Sequence, residues 1–252
     1  MNIKSIIKLR KIKLFLHIPF NTLSVGSYIR GLYLKKCVDK LPVLKFKNVL
    51  DAGCGDGYYS KWLAKKYPSM KIYAYDIQPS GLWKNKPDNL LFKKENLSKF
   101  YEQDIYDFCY CIDVLNCISK NKIALNNICR SLKRGGYLYL HIPCRKQKRI
   151  LFKKYFKKYD LIFSKKFSGE LYSQEELNKI ITYLGLNIVK IYRTFGLFGK
   201  IAWEINTLTD KENKIFLKIL LSPLLKLLSF LECRFYNNDG NGISILAKKS
   251  LK

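Results

Sequence analysis

VLDAGCGDGYYS, residues 49–60, decides how the rest of this chain is read. An apolar run ends in an acid, and glycines then recur at alternate positions, Gly53, Gly55 and Gly57. Glycines after a strand let backbone approach a ligand or take a left-handed turn that a side chain would resist. From Lys47 onward, strand-like and helix-like segments alternate, the pattern of an α/β sheet. NVLDAG (48–53), KIYAYDI (71–77), NLLFKKEN (89–96), DFCYCIDVL (107–115), YLYLHIP (137–143), LNIVKIYRTFG (186–196) and GISILAKK (242–249) read as strands. YYSKWLAKKY (58–67), IALNNICRSLK (123–133) and SQEELNKIITYLG (173–185) read as helices. In the last, Ser173 and Glu176 form a capping box and Gly185 stands at the far end.

In a doubly wound sheet, ligands bind beyond the carboxyl ends of the strands. Three kinds of ligand compete for the glycine loop. A phosphate loop ends in Gly-Lys-Ser/Thr, and nothing here fits it. The dinucleotide pattern GxGxxG places its third glycine three residues after the second. That position is Tyr58, and the third glycine comes one residue early, at Gly57. A tyrosine crowded against a helix N-terminus fits a pyrophosphate poorly. Acid, small, Gly, x, Gly, x, Gly directly after an apolar strand instead resembles motif I of the class I S-adenosylmethionine-dependent methyltransferases.

That resemblance implies a Rossmann-like α/β fold: a seven-stranded mixed sheet with helices on both faces. It implies S-adenosylmethionine as cofactor, with Gly53, Gly55 and Gly57 in the loop at its methionine part and Asp51 near its amino group. Asp76, closing YAYDI, would accept from the ribose hydroxyls, and Ile77 would flank the adenine. Aligning FKKEN puts Asn96 at the adenine amino group, with Glu95 one residue away. DFCYCIDVLNCI resembles the family's motif IV, which would set Cys111 under the cofactor and Asp113 toward the methyl-transfer cavity. Asn116-Cys117 stands where many relatives have Glu-His. LKRGGYLYLHIP resembles the turn into the fifth strand and puts His141 at its carboxyl end, where an imidazole suits proton removal. His141 and Asp113 are therefore the candidate catalytic residues, beside the plainer reading of a packed strand-end His and a helix-start acid. ELYSQEELNKIITYLG and TFGLFGKIAWEI look like bacterial methyltransferases of the ubiquinone-biosynthesis-like superfamily, which implies a small-molecule, lipid or glycan acceptor.

The bulk numbers narrow the partners. Net charge is +28 over 252 residues, which favours anionic partners, although lysine is abundant everywhere in the chain. None of the eight cysteines makes a CxxC pair or a zinc spacing, so reduced thiols in a cytoplasmic protein are expected. Cys109 and Cys111 are expected on opposite faces of one strand. Residues 1–45 read as a basic helical lead, without the pattern of a signal peptide, and 46–252 as the methyltransferase domain. A basic lid is expected over 145–170. There LFKKYFKKY puts Phe152, Tyr155, Phe156 and Tyr159 on one helical face and lysines on the other. An amphipathic helix is expected over 211–233. It carries Lys211, Lys214, Lys218, Ser222, Lys226 and Ser229 as a narrow polar stripe, with Pro223 inside. Its apolar surface suits packing within the fold, a partner, a substrate pocket or the inner face of a membrane, but not a span.

Two other classes stay open. A nucleic-acid methyltransferase would suit the charge, yet the Asn/Asp-Pro-Pro-aromatic motif is missing after the fourth strand, and only Cys144 could imitate a cytosine-5 nucleophile. A non-catalytic cofactor-binding protein would have no need of both the glycine loop and Asp76.

Overall fold

The computed structural model describes residues 24–164, 167–211 and 215–251. The first half of the expected N-terminal lead, including His17, lies outside the described residues. The sheet has seven strands: β1 (Asn48–Ala52), β2 (Lys71–Asp76), β3 (Leu90–Lys94), β4 (Tyr106–Ile112), β5 (Leu132–Pro143), β6 (Leu186–Thr194) and β7 (Gly242–Lys249). Their order is β3-β2-β1-β4-β5-β7-β6. β1 to β5 pair in parallel, and β7 runs antiparallel between β5 and β6. The strand order reverses between β1 and β4, so the loops leaving those two strands open a crevice where ligands bind in such sheets.

Alternation along the strands builds two apolar layers. Leu50, Cys109, Cys111, Leu138 and Leu140 face one side, with Ile128 and Leu125 of α3 (Asn121–Ser131) and Leu177 and Ile181 of α5 (Gln174–Tyr183). Val49, Phe108, Tyr110 and Tyr139 face the other, with Leu34 of α1 (Val25–Val38) and Leu63 of α2 (Tyr58–Lys66). Cys109 and Cys111 thus share a face, because side chains two apart on a strand point the same way. The expectation that they face apart was wrong. The capping box at Ser173 is present in both directions.

Two boundaries differ from expectation. β4 stops at Ile112, because Asp113 turns into the left-handed region at φ 55°. α3 gives way at Leu132, which pairs with Tyr106 and opens β5 well before the expected start. At the other end of the strands, Asp107 ties the sheet together. Its carboxylate accepts from the Lys47 and Asn48 amides at 2.7 and 2.8 Å and pairs with Lys133 at 2.8 Å.

Helix α1, capped by Ser24, packs with α6 (Leu197–Lys211) and α7 (Ile215–Arg234) over Val25, Ile29, Tyr33, Phe195 and Leu225. Residues 24–45 of the expected lead are therefore built into the packing of the fold. On α7 the narrow polar stripe turns inward. Ser222, Lys226 and Ser229 line a small cavity with the cap residue Ser24 and with Tyr28 of α1, and Lys218 pairs with Asp210. Glu232 is fully buried and accepts from the Gly196 and Gly199 amides at 2.8 and 2.9 Å and from Asn237 at 2.8 Å. Phe216, Leu220, Leu224, Leu227 and Phe230 consequently face out. The side chains of Lys211 and Lys214 lie outside the described residues. Among the described residues, no helix is long and apolar enough to cross a membrane.

Candidate functional site

The loop after β1 is shaped by left-handed backbone. Gly53 has φ 90° and Gly55 φ 51°. A Cβ on Gly53 would run into the Val114 side chain, whereas one on Gly55 would meet open space. The first glycine therefore lets the β1 and β4 loops close together, and the second presents bare backbone. Both flanks of Gly55 are tied to the exit of β2. Its amide donates to Asp76 Oδ2 at 2.8 Å, and its carbonyl accepts from the Trp83 indole at 2.8 Å. Gly57 caps α2 with φ 76°, and a Cβ there would strike Phe92.

This loop walls a cavity of about 590 Å³, to which Gly53, Gly55, Asp76, Ile77, Asn96 and Asp113 all contribute. Six of the sequence-predicted residues are thus brought together. Ile77 lies exposed at its mouth. Asn96 spends its side-chain oxygen on the Ser98 amide at 2.9 Å. Three others do not line the cavity. Gly57 shapes the helix start. Cys111 is fully buried in the core layer with Leu115 and Cys129, so it does not underlie the cavity directly. Asp51 is 2% exposed behind the loop, where Ser60 donates to its carboxylate. Burial pushes the Asp51 carboxyl up to about 7, a rise that the Ser60 bond opposes and the nearby Asp76 charge reinforces.

A second cavity, of about 380 Å³, adjoins the first, and Arg30, Asp113 and Cys117 line both. At this shared wall Arg30 Nη2 pairs with Asp113 Oδ2 at 2.5 Å, and His141 Nδ1 lies 2.6 Å from Asp113 Oδ1. A carboxylate only accepts, so Nδ1 carries the proton and donates; in the neutral ring, Nε2 then accepts from the Thr194 hydroxyl at 2.9 Å. Burial opposes ionisation of Asp113, but Arg30 and His141 outweigh it and hold the carboxyl below its ordinary range. His141 is 1% exposed with both nitrogens bonded. That geometry fits a residue that positions Asp113, and it leaves no ring nitrogen free to take a proton from an acceptor. Non-glycine residues at positive φ concentrate at functional sites, and Asp113 is one.

The two cavities carry opposite charge. Asp56, Asp76, Glu95 and Asp113 line the first, against one guanidinium. Arg30, Arg149 and Lys200 line the second, against Asp113 alone. Sequence reasoning missed all three cations. The usable signal was composition: arginine occurs eight times in a chain whose 47 basic residues are mostly lysine, and two of those eight meet here. Phe195 and Trp203 add aromatic wall. In the expected lid, α4 (Lys153–Ser164) buries Phe156 against Trp203 and leaves Lys153, Lys154 and Lys157 exposed; the Tyr159 side chain lies outside the described residues. The start of α4 is held by Glu204, fully buried, which accepts from the amides of Ile150, Leu151 and Phe152 at 2.7, 2.9 and 3.0 Å. Cys144 is packed, its thiol donating to the Gly240 carbonyl at 3.3 Å, and burial pushes that thiol up; neither suits a nucleophile.

Comparison with known proteins agrees with this layout. The methyltransferase domain family matches residues 28–191. A malonyl-[acyl-carrier protein] O-methyltransferase of Ilyobacter polytropus is 28% identical over 112 residues, 40% of this chain and 42% of that protein. A trans-aconitate 2-methyltransferase of Methylobacterium nodulans is 24% identical over 106 residues, 41% of each chain. The matched stretch thus spans about two fifths of these relatives. Among solved structures, phosphoethanolamine N-methyltransferase 2 of Haemonchus contortus, in complex with S-adenosyl-L-methionine, superposes with a TM-score of 0.61 at 16% identity, covering 88% of this chain and 52% of that one. A sarcosine dimethylglycine methyltransferase assignment from Galdieria sulphuraria gives 0.60 at 18% identity, covering 88% and 85%. At those identities the likeness is one of fold.

Proposed function

The chain belongs to the methyltransferase domain family, and we propose that it transfers a methyl group from S-adenosylmethionine to a small-molecule, lipid or glycan acceptor seated in the second cavity. The observation that carries this is the acidic cavity built on bare loop backbone. Four carboxylates there repel a pyrophosphate and favour a cofactor that carries an ammonium and a sulfonium. When bound, the cofactor supplies an already activated methyl group.

The chain's own residues do the rest. Gly53 and Gly55 give backbone room at the methionine end. Asp76 offers carboxylate oxygens to the ribose, and Ile77 and Asn96 border the base. Asp51 acts from behind the loop, by fixing α2 through Ser60. Arg30, Asp113, His141 and Thr194 form a chain of bonds across the shared wall, so the acceptor meets a fixed surface; alignment of two reactants supplies much of such a rate. Arg30 and His141 hold the Asp113 carboxyl in its charged form, so in this reading Asp113 accepts a hydrogen bond from the O–H or N–H of the acceptor and orients it, with His141 as its positioning residue.

Calorimetric titration with S-adenosylmethionine and with NAD tests the reading. Micromolar binding of the first alone is expected, and binding of NAD alone or of neither sinks it. The inverted helix α7 favours a location as well. Its outward row of Phe216, Leu220, Leu224, Leu227 and Phe230, beside a strongly basic chain, supports docking on an anionic membrane surface. Sedimentation with phosphatidylglycerol vesicles should be lost in Phe216→Ser/Leu220→Ser/Leu227→Ser, and equal sedimentation of the variant would exclude this face.

A further inference from the structure

Three cations line the second cavity, each with a carboxylate partner, and Lys200 is the most loosely held of them, sharing Asp239 with Lys148 and feeling the buried Glu232 carboxylate. The Arg149 and Lys200 side chains are 7% and 6% exposed. Arg149 is matched by Asp160, which accepts from its guanidinium at 2.5 and 3.1 Å. Lys200 is not matched in this way. Its shortest bond is to a neutral group, the Asp239 carbonyl, at 3.0 Å. The Asp239 carboxylate is 3.5 Å away and sits closer to Lys148, at 2.9 Å. Arg30 spends one amino group on Asp113, and its buried Nε has no partner. Asn116, 4% exposed on the same wall, also has an unpartnered oxygen. A buried cation is costly unless an anion meets it.

The rest of the wall is apolar. Pro143, Phe195 and Trp203 line it, and the Arg149 guanidinium lies over the Trp203 ring at 4.3 Å from its centroid. Lys200, Arg149 and Trp203 line the second cavity alone, whereas Arg30 and Asp113 also face the first. An anion held by Lys200 therefore sits away from the wall where the two ligands meet.

We propose that the second cavity selects an acceptor bearing a carboxylate or phosphate on an apolar body, with Lys200 as the anion-binding residue and the Asp160-paired Arg149 as part of the wall beside it. The anion is the handle, and a different atom of the acceptor is presented to the shared wall beside Asp113. This rests on the methyl-transfer reading and narrows its acceptor. It also explains why the acidic cavity and the basic cavity are kept apart by one Arg–Asp pair: each repels the other's ligand.

The test uses the full chain saturated with S-adenosylhomocysteine, which cannot react. Octanoate, octyl phosphate and octanol are titrated by calorimetry. At least one anion should bind tenfold or more tightly than octanol, and which one does so separates a carboxylate handle from a phosphate handle. Lys200→Met should weaken that anion tenfold or more while octanol and S-adenosylhomocysteine bind as before, and Lys200→Arg should retain the preference. Equal affinity for octanol and both anions, no binding of any of the three, or an anion affinity unchanged within twofold in Lys200→Met, overturns the proposal. Failure of S-adenosylhomocysteine itself to bind would instead strike at the methyl-transfer reading.

Discussion

Asp76→Ala is the perturbation whose size the structure constrains best. The carboxylate has two tasks in the protein alone, accepting from the Gly55 amide at 2.8 Å and the Gln78 amide at 3.0 Å. Both sit at the surface, where water replaces a lost partner. The stability cost is therefore small, about 1 kcal/mol, or a fall of roughly 2–4 °C in Tm for a chain of this size. Binding should suffer more. A carboxylate accepting from a ribose hydroxyl makes a charge-assisted bond worth about 1.5–3 kcal/mol. Every 1.4 kcal/mol is a factor of ten, so the dissociation constant for S-adenosylmethionine should rise about 10- to 100-fold. Asp76→Asn keeps one oxygen for the Gly55 amide and loses the charge, so it should fall between. Calorimetry gives the constants, and thermal melting of the same preparations separates a binding loss from a folding loss. An affinity within threefold of wild type in Asp76→Ala, with Tm unchanged, would refute the ribose role.

Three further outcomes follow from buried groups. Folded Asp51 keeps its proton up to about pH 7, while an unfolded Asp releases it near about 3.9, so the folded state binds more protons across that window and this group's contribution to stability falls as pH rises through it. Asp51→Asn removes that slope, so urea denaturation should show the variant gaining on wild type between pH 5 and pH 8; a gain in the opposite direction would contradict the burial argument. Glu204→Ala leaves three amides at the start of α4 without their acceptor and should cost about 3 kcal/mol or more, with faster tryptic cleavage at Lys153 and Lys154, whereas Glu204→Gln should cost less. Gly53→Ala forces a side chain into Val114 from a left-handed backbone; a loss of at least about 2 kcal/mol in denaturation is expected, and near-wild-type stability would mean the β1 and β4 loops are not in contact.

How far the sequence could be read depends on how each part of the site is held. The lining of the first cavity was legible because each of its predicted residues sits at or just beyond the end of its own strand. Register alone carries Gly53, Asp76 and Asp113 to the same edge of a parallel sheet, so short motifs suffice. The lining of the second cavity was not legible. Arg30 comes from a helix that precedes the sheet and reads as a separate lead, while Arg149 and Lys200 come from connections after β5 and β6. No local pattern joins them: packing of α1 against α6 and α7 brings Arg30 and Lys200 together, and Asp160 and the Trp203 ring hold Arg149 beside them. Helix α7 shows a different limit. Its period revealed the narrow polar stripe, but period cannot say which face turns inward. On the inward face, the buried carboxylate of Glu232 meets the Gly196 and Gly199 amides, beside Leu225 in the apolar cluster. Leaving those two buried amides without their acceptor would cost about 1–3 kcal/mol each, comparable with the burial of a large apolar side chain at about 1.5–3 kcal/mol. The buried carboxylate thereby offsets part of the cost of leaving several leucines and phenylalanines exposed. An apolar surface outside the protein would add to the same side of that balance, which is why vesicle binding and the Glu232 network should strengthen together.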